Sequence, residues 1–207
     1  MLFVKNALIA TTCCLAISSQ ASLLPSSTDG QILSIEGHPL PDKWFRLILD
    51  EPGTEQILTT KDSNVELVGR TPIETCAYIS AAAACFTLSK DLFHFAKTLA
   101  GGIKALSDQH NCAHDSGTIN NIRYDYYASG RNCDTTAQIN TIAGAIYKYI
   151  DKIEHGKICG TQCVRLDHHG TWKGWLRMGH ASSYNDKAYC GPGLNFDSCV
   201  SGGNNDI

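Results

Sequence analysis

The sequence predicts an α+β fold, a disulfide-stapled secreted domain in which two to three helices pack on a small antiparallel sheet. Three observations predict it: a signal-peptide pattern at the N-terminus, eight cysteines after it, and apolar residues that switch between helical and strand-like spacing. At 207 residues the chain can bury one sizeable core. Its formal net charge of −3 does not favour a nucleic-acid surface, so no nucleic-acid partner is expected.

Residues 1–21 have the pattern of a signal peptide. Lys5 supplies a positive n-region, residues 7–17 are apolar, and Ser19 and Ala21 place small residues at a signal-peptidase site. The apolar run is too short to span a bilayer as an anchor. We therefore expect cleavage after Ala21 and a secreted, extracellular protein.

Cleavage would remove Cys13 and Cys14, and the even number of cysteines that remains predicts a disulfide framework. The eight are Cys76, Cys85, Cys112, Cys133, Cys159, Cys163, Cys190 and Cys199. Their connectivity cannot be deduced from the sequence. If Cys76 and Cys85 share a helix, they lie on opposite faces and bond to different partners. A shared strand would hold Cys159 and Cys163 too far apart to pair, unless residues 160–162 form a turn.

The chain divides near residue 70. Residues 22–70 contain no cysteine and carry eight acidic against four basic residues. They are either a small N-terminal subdomain or a removable pro-segment. Residues 71–199 should form the disulfide-rich α+β domain, and residues 200–207 a disordered tail.

The first predicted helix covers residues 76–88. A capping box at Thr71 and Glu74 precedes it, and only Ser80 and Thr87 interrupt its apolar run. A helix that is apolar on all sides is either buried on all sides or meets lipid. Its length of about 20 Å is short of the hydrocarbon core of a bilayer. Two interpretations follow: a buried central helix, or an element that inserts into a membrane.

Two amphipathic helices should follow. Residues 92–107 have apolar side chains at helical spacing. A second capping box, at Thr135 and Gln138, starts a helix that should end at His155 and Gly156. These are the helices expected to cover the sheet.

The strands are predicted from alternating and β-branched residues. Residues 119–128 form a Tyr-rich strand in which Tyr127 faces away from the other tyrosines. Residues 158–166 and 171–178 form two short strands around a polar turn at 167–170.

One stretch has the residue types of a metal site, because His110, Cys112 and His114 alternate along it. In a secreted chain with eight cysteines, however, Cys112 should be oxidised, and a disulfide sulfur is not a thiolate ligand. No metal and no cofactor are expected.

The turn and the strand after it hold the remaining candidates. His168 and His169, together with His180, could act as a general acid–base set, or they form a polar turn and a surface histidine. Trp172 and Trp175 should face opposite sides of a strand, one inward and one either under an overlying layer or exposed as an anchor. We therefore regard Trp172, Trp175, His168 and His169 as a possible interaction surface, and we assign no catalytic residue.

A group of turn, cysteine and aromatic residues resembles a known family. They are Gly117 and Thr118; Tyr124, Tyr126 and Tyr127; Gly130; Cys133, Asp134, Thr135, Thr136 and Ala137; Cys159 and Cys163; and Gly170, Thr171, Trp172 and Gly174. They resemble the C-terminal domain of a fungal secreted-protein family that includes the yeast Klus killer toxin and its chromosomally encoded secreted relatives. The resemblance spans residues 75–190. It implies a fungal, secreted, killer-toxin-like protein and carries over no catalytic residue.

We therefore expect a secreted killer-toxin-like or effector-like protein that acts at a cell surface without catalysis. Its expected partner is the cell wall or membrane of a target cell. Two alternatives stay open. One is a small secreted hydrolase, nuclease-like, that uses His168, His169 or His180 with Arg165 or Arg177. The other is an inactive cell-wall interaction protein.

Overall fold

The structure, a computed structural model, describes residues 26–28, 31–50, 78–79, 84–88, 90–168, 170–196 and 200–207. The helices within these residues are α1 (Leu92–Asp108) and α2 (Ile139–Lys148). The strands are β1 (Ser26–Thr28), β2 (Gln31–Ile35), β3 (His38–Pro39), β4 (Lys43–Asp50), β5 (Tyr78–Ile79), β6 (Cys85–Thr87), β7 (Asp115–Ile119), β8 (Ile122–Ser129), β9 (Lys157–Cys159), β10 (Thr161–Asp167), β11 (Lys173–His180) and β12 (Val200–Gly203). The predicted signal peptide, the capping box at Thr71, Cys76, His169 and Cys199 lie outside the described residues.

The main sheet has the strand order β12-β4-β10-β11-β8-β7, and β5 pairs with β4. Strand β4 runs parallel to both β10 and β12, whereas the other pairs are antiparallel. The α+β class and the disulfide stapling are confirmed, but the sheet is larger than predicted and mixed. The reason is β4, which comes from residues 22–70 and lies between β10 of the disulfide-rich part and β12 of the C-terminal residues. Removal of residues 22–70 as a pro-segment would therefore take a central strand out of this sheet.

The inner face of the sheet forms the core with the two helices. Phe45, Val164, Leu176 and Tyr126 lie side by side across β4, β10, β11 and β8, and each is at most 1% exposed. Burial of such side chains stabilises the fold by about 1.5–3 kcal/mol each. The apolar sides of α1 and α2 cover this row and belong to the same core cluster.

Helix α1 agrees with the prediction for residues 92–107, but α2 begins at Ile139 and not at Thr135. The Thr135 backbone N–H donates to the hydroxyl of Ser107 at 2.8 Å, so the predicted cap makes a contact with α1 instead. The helix continues as a π-helical turn over Tyr149–Ile153. It ends as predicted, with His155 and Gly156 at φ of 53° and 73°.

The Tyr-rich strand begins at Ile122 and not at residue 119, as the second strand of a hairpin. Strands β7 and β8 are antiparallel and joined by Asn120 and Asn121, with φ of 49° and 64°. This is the geometry of a two-residue hairpin turn, which asparagine tolerates better than most residues. As predicted, Tyr127 faces away from buried Tyr126.

No helix is present in the described part of residues 76–88, which corrects that prediction. Strand β5 pairs with β4, and β6 pairs with β9, where Cys85 and Cys159 lie opposite each other and form a disulfide. An all-apolar run carries no period that separates a buried helix from a buried strand. Its aromatic and β-branched residues, Tyr78, Ile79 and Phe86 among them, favour strands once a sheet edge is available.

The C-terminal residues are ordered, which corrects the prediction of a disordered tail. Strand β12 pairs with β4, and Lys148 of α2 contacts Asp206 at 3.3 Å. Glycines make this approach possible. A Cβ on Gly144 would lie 1.9 Å from the carbonyl oxygen of Gly203, and a Cβ on Gly203 would lie 2.0 Å from that of Asp50. The glycine-rich composition is therefore a packing feature here and not a sign of disorder.

Six of the eight predicted cysteines are paired within the described residues. The disulfides are Cys85–Cys159, Cys112–Cys133 and Cys163–Cys190. Cys159 and Cys163 lie in successive strands, β9 and β10, and each bonds to a different partner.

One ionic group is buried beneath β4 and β10. The carboxylate of Glu154 accepts hydrogen bonds from Lys43 and, at 2.9 Å, from Gln162. The Tyr149 hydroxyl donates to Gln162 at 3.0 Å. Burial, followed by the charge of Glu154, raises the pKa of Tyr149 well above its usual value.

Candidate functional site

A pocket of about 360 Å³ opens on the outer face of the sheet. Its floor comes from β8 and β11, and its walls come from the β2–β3 hairpin, the residue before β7 and the segment after β11. The residues that line it are Glu36, His38, His114, Asp125, Tyr127, Trp175, Arg177, Ala188, Tyr189 and Cys190.

The floor is built from two cross-strand pairs, Tyr127 with Trp175 and Asp125 with Arg177. Each nitrogen of the Arg177 guanidinium donates to a protein acceptor. Nη2 donates to Asp125 at 2.8 Å and Nη1 to the carbonyl of Ala188 at 2.6 Å. Nε donates to the Tyr184 hydroxyl at 3.0 Å. Arg177 therefore fixes the pocket's walls to its floor.

His114 is held by Asp125 and Tyr127. Its Nδ1 lies 3.0 Å from Asp125 Oδ1, and its ring stacks on Tyr127 with 4.7 Å between ring centroids. A carboxylate can only accept, so Nδ1 carries the hydrogen. The neutral ring then has a bare Nε2, on a side chain that is 62% exposed. An imidazole oriented in this way can accept a hydrogen bond or a proton from a bound molecule.

Tyr127 stays neutral in the pocket. Its hydroxyl donates to the carbonyl of Cys190 at 3.0 Å. Burial is the largest cause that raises the pKa of Tyr127 to about 12; repulsion from Tyr189, once that tyrosine has ionised at high pH, and from the carboxylates of Asp125 and Glu36 adds to it, although Arg177 opposes the shift.

The β2–β3 hairpin supplies the opposite wall. Glu36 and Gly37 form its two-residue turn, with φ of 52° and 78°, and both Glu36 and His38 are exposed. Nδ1 of His38 lies 3.2 Å from the carbonyl oxygen of Lys187. A carbonyl accepts, so His38 also carries its hydrogen on Nδ1 and has a bare Nε2 in the neutral ring.

The segment after β11 closes the pocket and is tied down covalently. The disulfide Cys163–Cys190 joins it to β10. Beside it, Ile35, Leu194 and Phe196 form a small second core on the outer face. The Tyr189 hydroxyl oxygen accepts from the Gly193 N–H at 3.0 Å, so its own hydrogen can be donated to a ligand.

The structure buries the predicted interaction residues that it describes. Trp172 and Trp175 are each 3% exposed, and His168 is 5% exposed. Trp172 belongs to the main core. Trp175 lies on the outer face, where Nε1 donates to Ser129 Oγ at 2.8 Å. The two tryptophans thus pack on opposite sides of the sheet, and they and His168 present little accessible surface.

The histidines of the predicted acid–base set do not come together. His168 lies at one end of the β10–β11 hairpin with Nδ1 3.0 Å from the Thr135 hydroxyl. His180 lies at the other end, roughly 25 Å away along the strand, and stacks on Phe86.

Asp167, at the start of the predicted turn, binds three cations. Arg46, Arg165 and Lys173 all donate to its carboxylate, the last two at 3.0 Å, and its side chain is 5% exposed. Burial alone would raise the pKa of Asp167. The hydrogen bonds from Lys173 and Arg46 and the charge of Arg165 outweigh burial and lower it below the usual value. This cluster lies at the loop end of the β10–β11 hairpin, where Asp167 pairs with Lys173.

The metal-like stretch does not form a metal site. Cys112 is bonded to Cys133, and His110 and His114 contact different acids, Asp134 and Asp125. Among the residues that the structure describes, no group of three or more His, Cys, Asp or Glu side chains could hold a metal ion.

Sequence reasoning did not identify the group of residues that does come together. It considered Arg177 only as a partner of His168, His169 or His180, and His114 only as part of the metal-like stretch. Glu36, His38, His114, Asp125 and Arg177 lie on four separate segments. One signal was available, because Asp125 and Arg177 are charged residues at outward positions of two strands whose inward positions are mostly apolar or aromatic. Their pairing depends on the register of β8 and β11, which the sequence does not specify.

These features define a disulfide-bonded α+β protein with a preformed polar pocket on the outer face of its sheet. Within the described residues, no helix is both long and apolar enough to cross a membrane. The chain belongs to a family of unknown function (DUF6736), which matches residues 63–189. No curated protein and no solved structure matches the chain.

Proposed function

We propose that this chain is a secreted killer-toxin-like or effector-like protein that acts at a cell surface by binding, and that the pocket is its binding site. The observation that carries the proposal is the fixed arrangement of His114, Asp125 and Arg177. Asp125 and Arg177 hold each other across two strands, and Asp125 orients His114, whose Nε2 is left for a ligand. A site that is preformed loses less entropy when it binds.

Binding explains the chain better than membrane insertion. The segment expected to enter a membrane, residues 76–88, contributes β5 and β6 to two sheets in the parts that the structure describes. Insertion would require these strands to leave their partners and the Cys85–Cys159 disulfide to separate from its sheet.

The test is retention of the purified, disulfide-intact protein on intact yeast and filamentous fungal cells, with growth inhibition scored in parallel. We expect the wild-type protein to sediment with cells. His114→Ala should lower the affinity about tenfold or more, because it removes a ligand-facing group. His180→Ala is the matched control, since it removes a histidine on Phe86 and outside the pocket. No retention, or equal loss in both variants, would contradict the proposal. Retention without growth inhibition would identify an inactive cell-wall interaction protein.

A second candidate is a small secreted hydrolase, and the oriented His114 favours it. An imidazole held by a carboxylate through Nδ1 is the usual arrangement of a general base, and Glu36 and His38 line the same pocket. The set at His168 and His180 does not support this function, because its members lie at opposite ends of a hairpin. Cleavage of RNA and of wall polysaccharides should then be lost in His114→Ala and retained in His180→Ala. If the wild-type protein cleaves neither polymer, this candidate is excluded.

A further inference from the structure

The pocket offers more hydrogen-bond acceptors than donors. The hydrogens on Nδ1 of His38 and His114 are directed to protein oxygens, so each neutral ring presents Nε2 as an acceptor. Glu36 adds a carboxylate, and Tyr127, whose hydrogen goes to Cys190, offers a lone pair. The donors are the Tyr189 hydroxyl and the second hydrogens of Arg177 Nη1 and Nη2, whose first hydrogens go to Ala188 and Asp125. A ligand that fits this pattern must itself donate hydrogen bonds from several positions.

The charge of the pocket also favours a ligand that donates hydrogen bonds. Arg177 is the one permanently cationic residue among the described residues that line it, and its three nitrogens already contact protein acceptors. Asp125 balances Arg177, and Glu36 leaves an excess negative charge. The raised pKa of Tyr127, to which Asp125 and Glu36 contribute, agrees with a negative potential. A phosphate group would be repelled here, whereas a cation would be attracted.

We propose that the pocket binds a protonated amino sugar through its ammonium group. The ammonium supplies three N–H donors and a positive charge for Glu36, and the ring hydroxyls supply donors for Nε2 of His114 and of His38. The half-buried Tyr189 can cover a sugar face with its ring and donate from its hydroxyl. A volume of about 360 Å³ is sufficient for a small ligand of this kind. The inference rests on the proposed function in that it assigns a ligand class to the same pocket.

The test compares two ligands that differ in one group. Glucosamine oligosaccharides and their N-acetylated counterparts of equal length are titrated into the mature, disulfide-intact protein by calorimetry at neutral pH. The amine form should bind, and the acetylated form should bind about tenfold more weakly or worse, because acetylation removes the charge and two N–H donors. Equal binding of both forms would overturn the role of the amine. Binding of neither would overturn the proposal. Equal binding of spermidine would overturn the assignment to a sugar.

A pair of variants locates the site. Glu36→Gln keeps the shape of the side chain and removes its charge, so the affinity for the amine form should fall about tenfold. Asp186→Asn makes the same charge change at an exposed acid outside the lining, and it should bind as the wild type does. Equal thermal unfolding of the two variants would show that neither has lost its fold. An equal loss of affinity in both would place the ligand elsewhere and overturn the proposal.

The two proposals can fail separately. Retention on cells without binding of the amine form would leave the proposed function standing and refute the ligand class. Binding of the amine form without retention on cells would support the ligand class and refute the proposed function.

Discussion

Replacement of Gly144 by alanine tests whether the C-terminal residues are packed as described. A Cβ at this position in α2 would lie 1.9 Å from the carbonyl oxygen of Gly203 and 2.7 Å from its carbon. Both are backbone atoms of β12. The strand cannot retreat, because Gly203 lies against the backbone of Asp50 on the other side. The added methyl group must therefore displace β12 or distort α2.

The expected change in the free energy of unfolding follows from two opposing effects of the Gly144→Ala substitution. Alanine is favoured over glycine in a helix interior by about 0.5–1 kcal/mol. Overpacking against a fixed neighbour costs about 1–3 kcal/mol. We expect Gly144→Ala to lower the free energy of unfolding by about 1–2 kcal/mol, which corresponds to a fall in Tm of about 2–8 °C for a protein of this size. Gly101→Ala, in α1, has nothing within 4 Å of its new Cβ, so it should stabilise the protein by about 0.5–1 kcal/mol.

The assay is urea unfolding of the mature, disulfide-intact protein, followed by circular dichroism. A third protein, which lacks residues 200–207, completes the design. In it the steric conflict is absent, so Gly144→Ala should stabilise as Gly101→Ala does. If Gly144→Ala stabilises the full chain as well, β12 does not pack on α2 and the reasoning is refuted.

Three further predictions follow from the disulfides and the buried charges. Mass spectrometry of the non-reduced mature protein should find Cys76 joined to Cys199, because the other six cysteines pair with one another; a free thiol would contradict this. Asp167→Asn should reduce the acid sensitivity of folding. The folded-state pKa of Asp167 is lowered, so its contribution is complete above the unfolded value of about 4 and is lost as the pH falls through the lower folded value. Urea midpoints from about pH 5 down to about pH 2 should therefore fall less steeply in the variant than in the wild type. Glu154→Gln should lower the free energy of unfolding by about 2 kcal/mol, because it removes the ion pair with Lys43; an unchanged urea midpoint would contradict it.

The residue pattern within a single segment predicted those elements that form without information from distant parts of the chain. The spacing of Phe95, Leu99 and Ile103 is sufficient to identify α1, because an amphipathic helix needs no information from distant residues. The position of β4 in the main sheet, in contrast, depends on residues that are distant in the sequence. Phe45 and Val164 are neighbours in a parallel pair although they lie far apart along the chain. The residue pattern of neither strand indicates which strand is its partner. Residues 22–70 therefore resemble a separate unit in the sequence.

The candidate site could not be predicted for a related reason. Sequence reasoning chose His168 because a histidine in the predicted polar turn could act as a general acid or base, yet the fold buries His168 against Thr135. The sequence drew attention to His114 only through His110 and Cys112, as a metal-like stretch that the fold does not use as one. Its orientation comes from Asp125, which in turn lies opposite Arg177 on another strand. Adjacency in the sequence is therefore a poor guide to this site, whereas charged residues at outward positions of neighbouring strands are a better one.

The donors and acceptors of the pocket favour binding over cleavage of a phosphodiester. Cleavage of RNA needs cations that face the phosphate as negative charge develops on its oxygens. Here the nitrogens of Arg177 contact protein acceptors, and Glu36 adds a negative charge to the opening. A donor-rich, cationic ligand would satisfy Glu36 and Nε2 of His38 and His114 without any change in the pocket. In a nuclease, Glu36 would have no favourable role beside the phosphate. The titration with the amine form therefore tests both the binding function and the nuclease alternative.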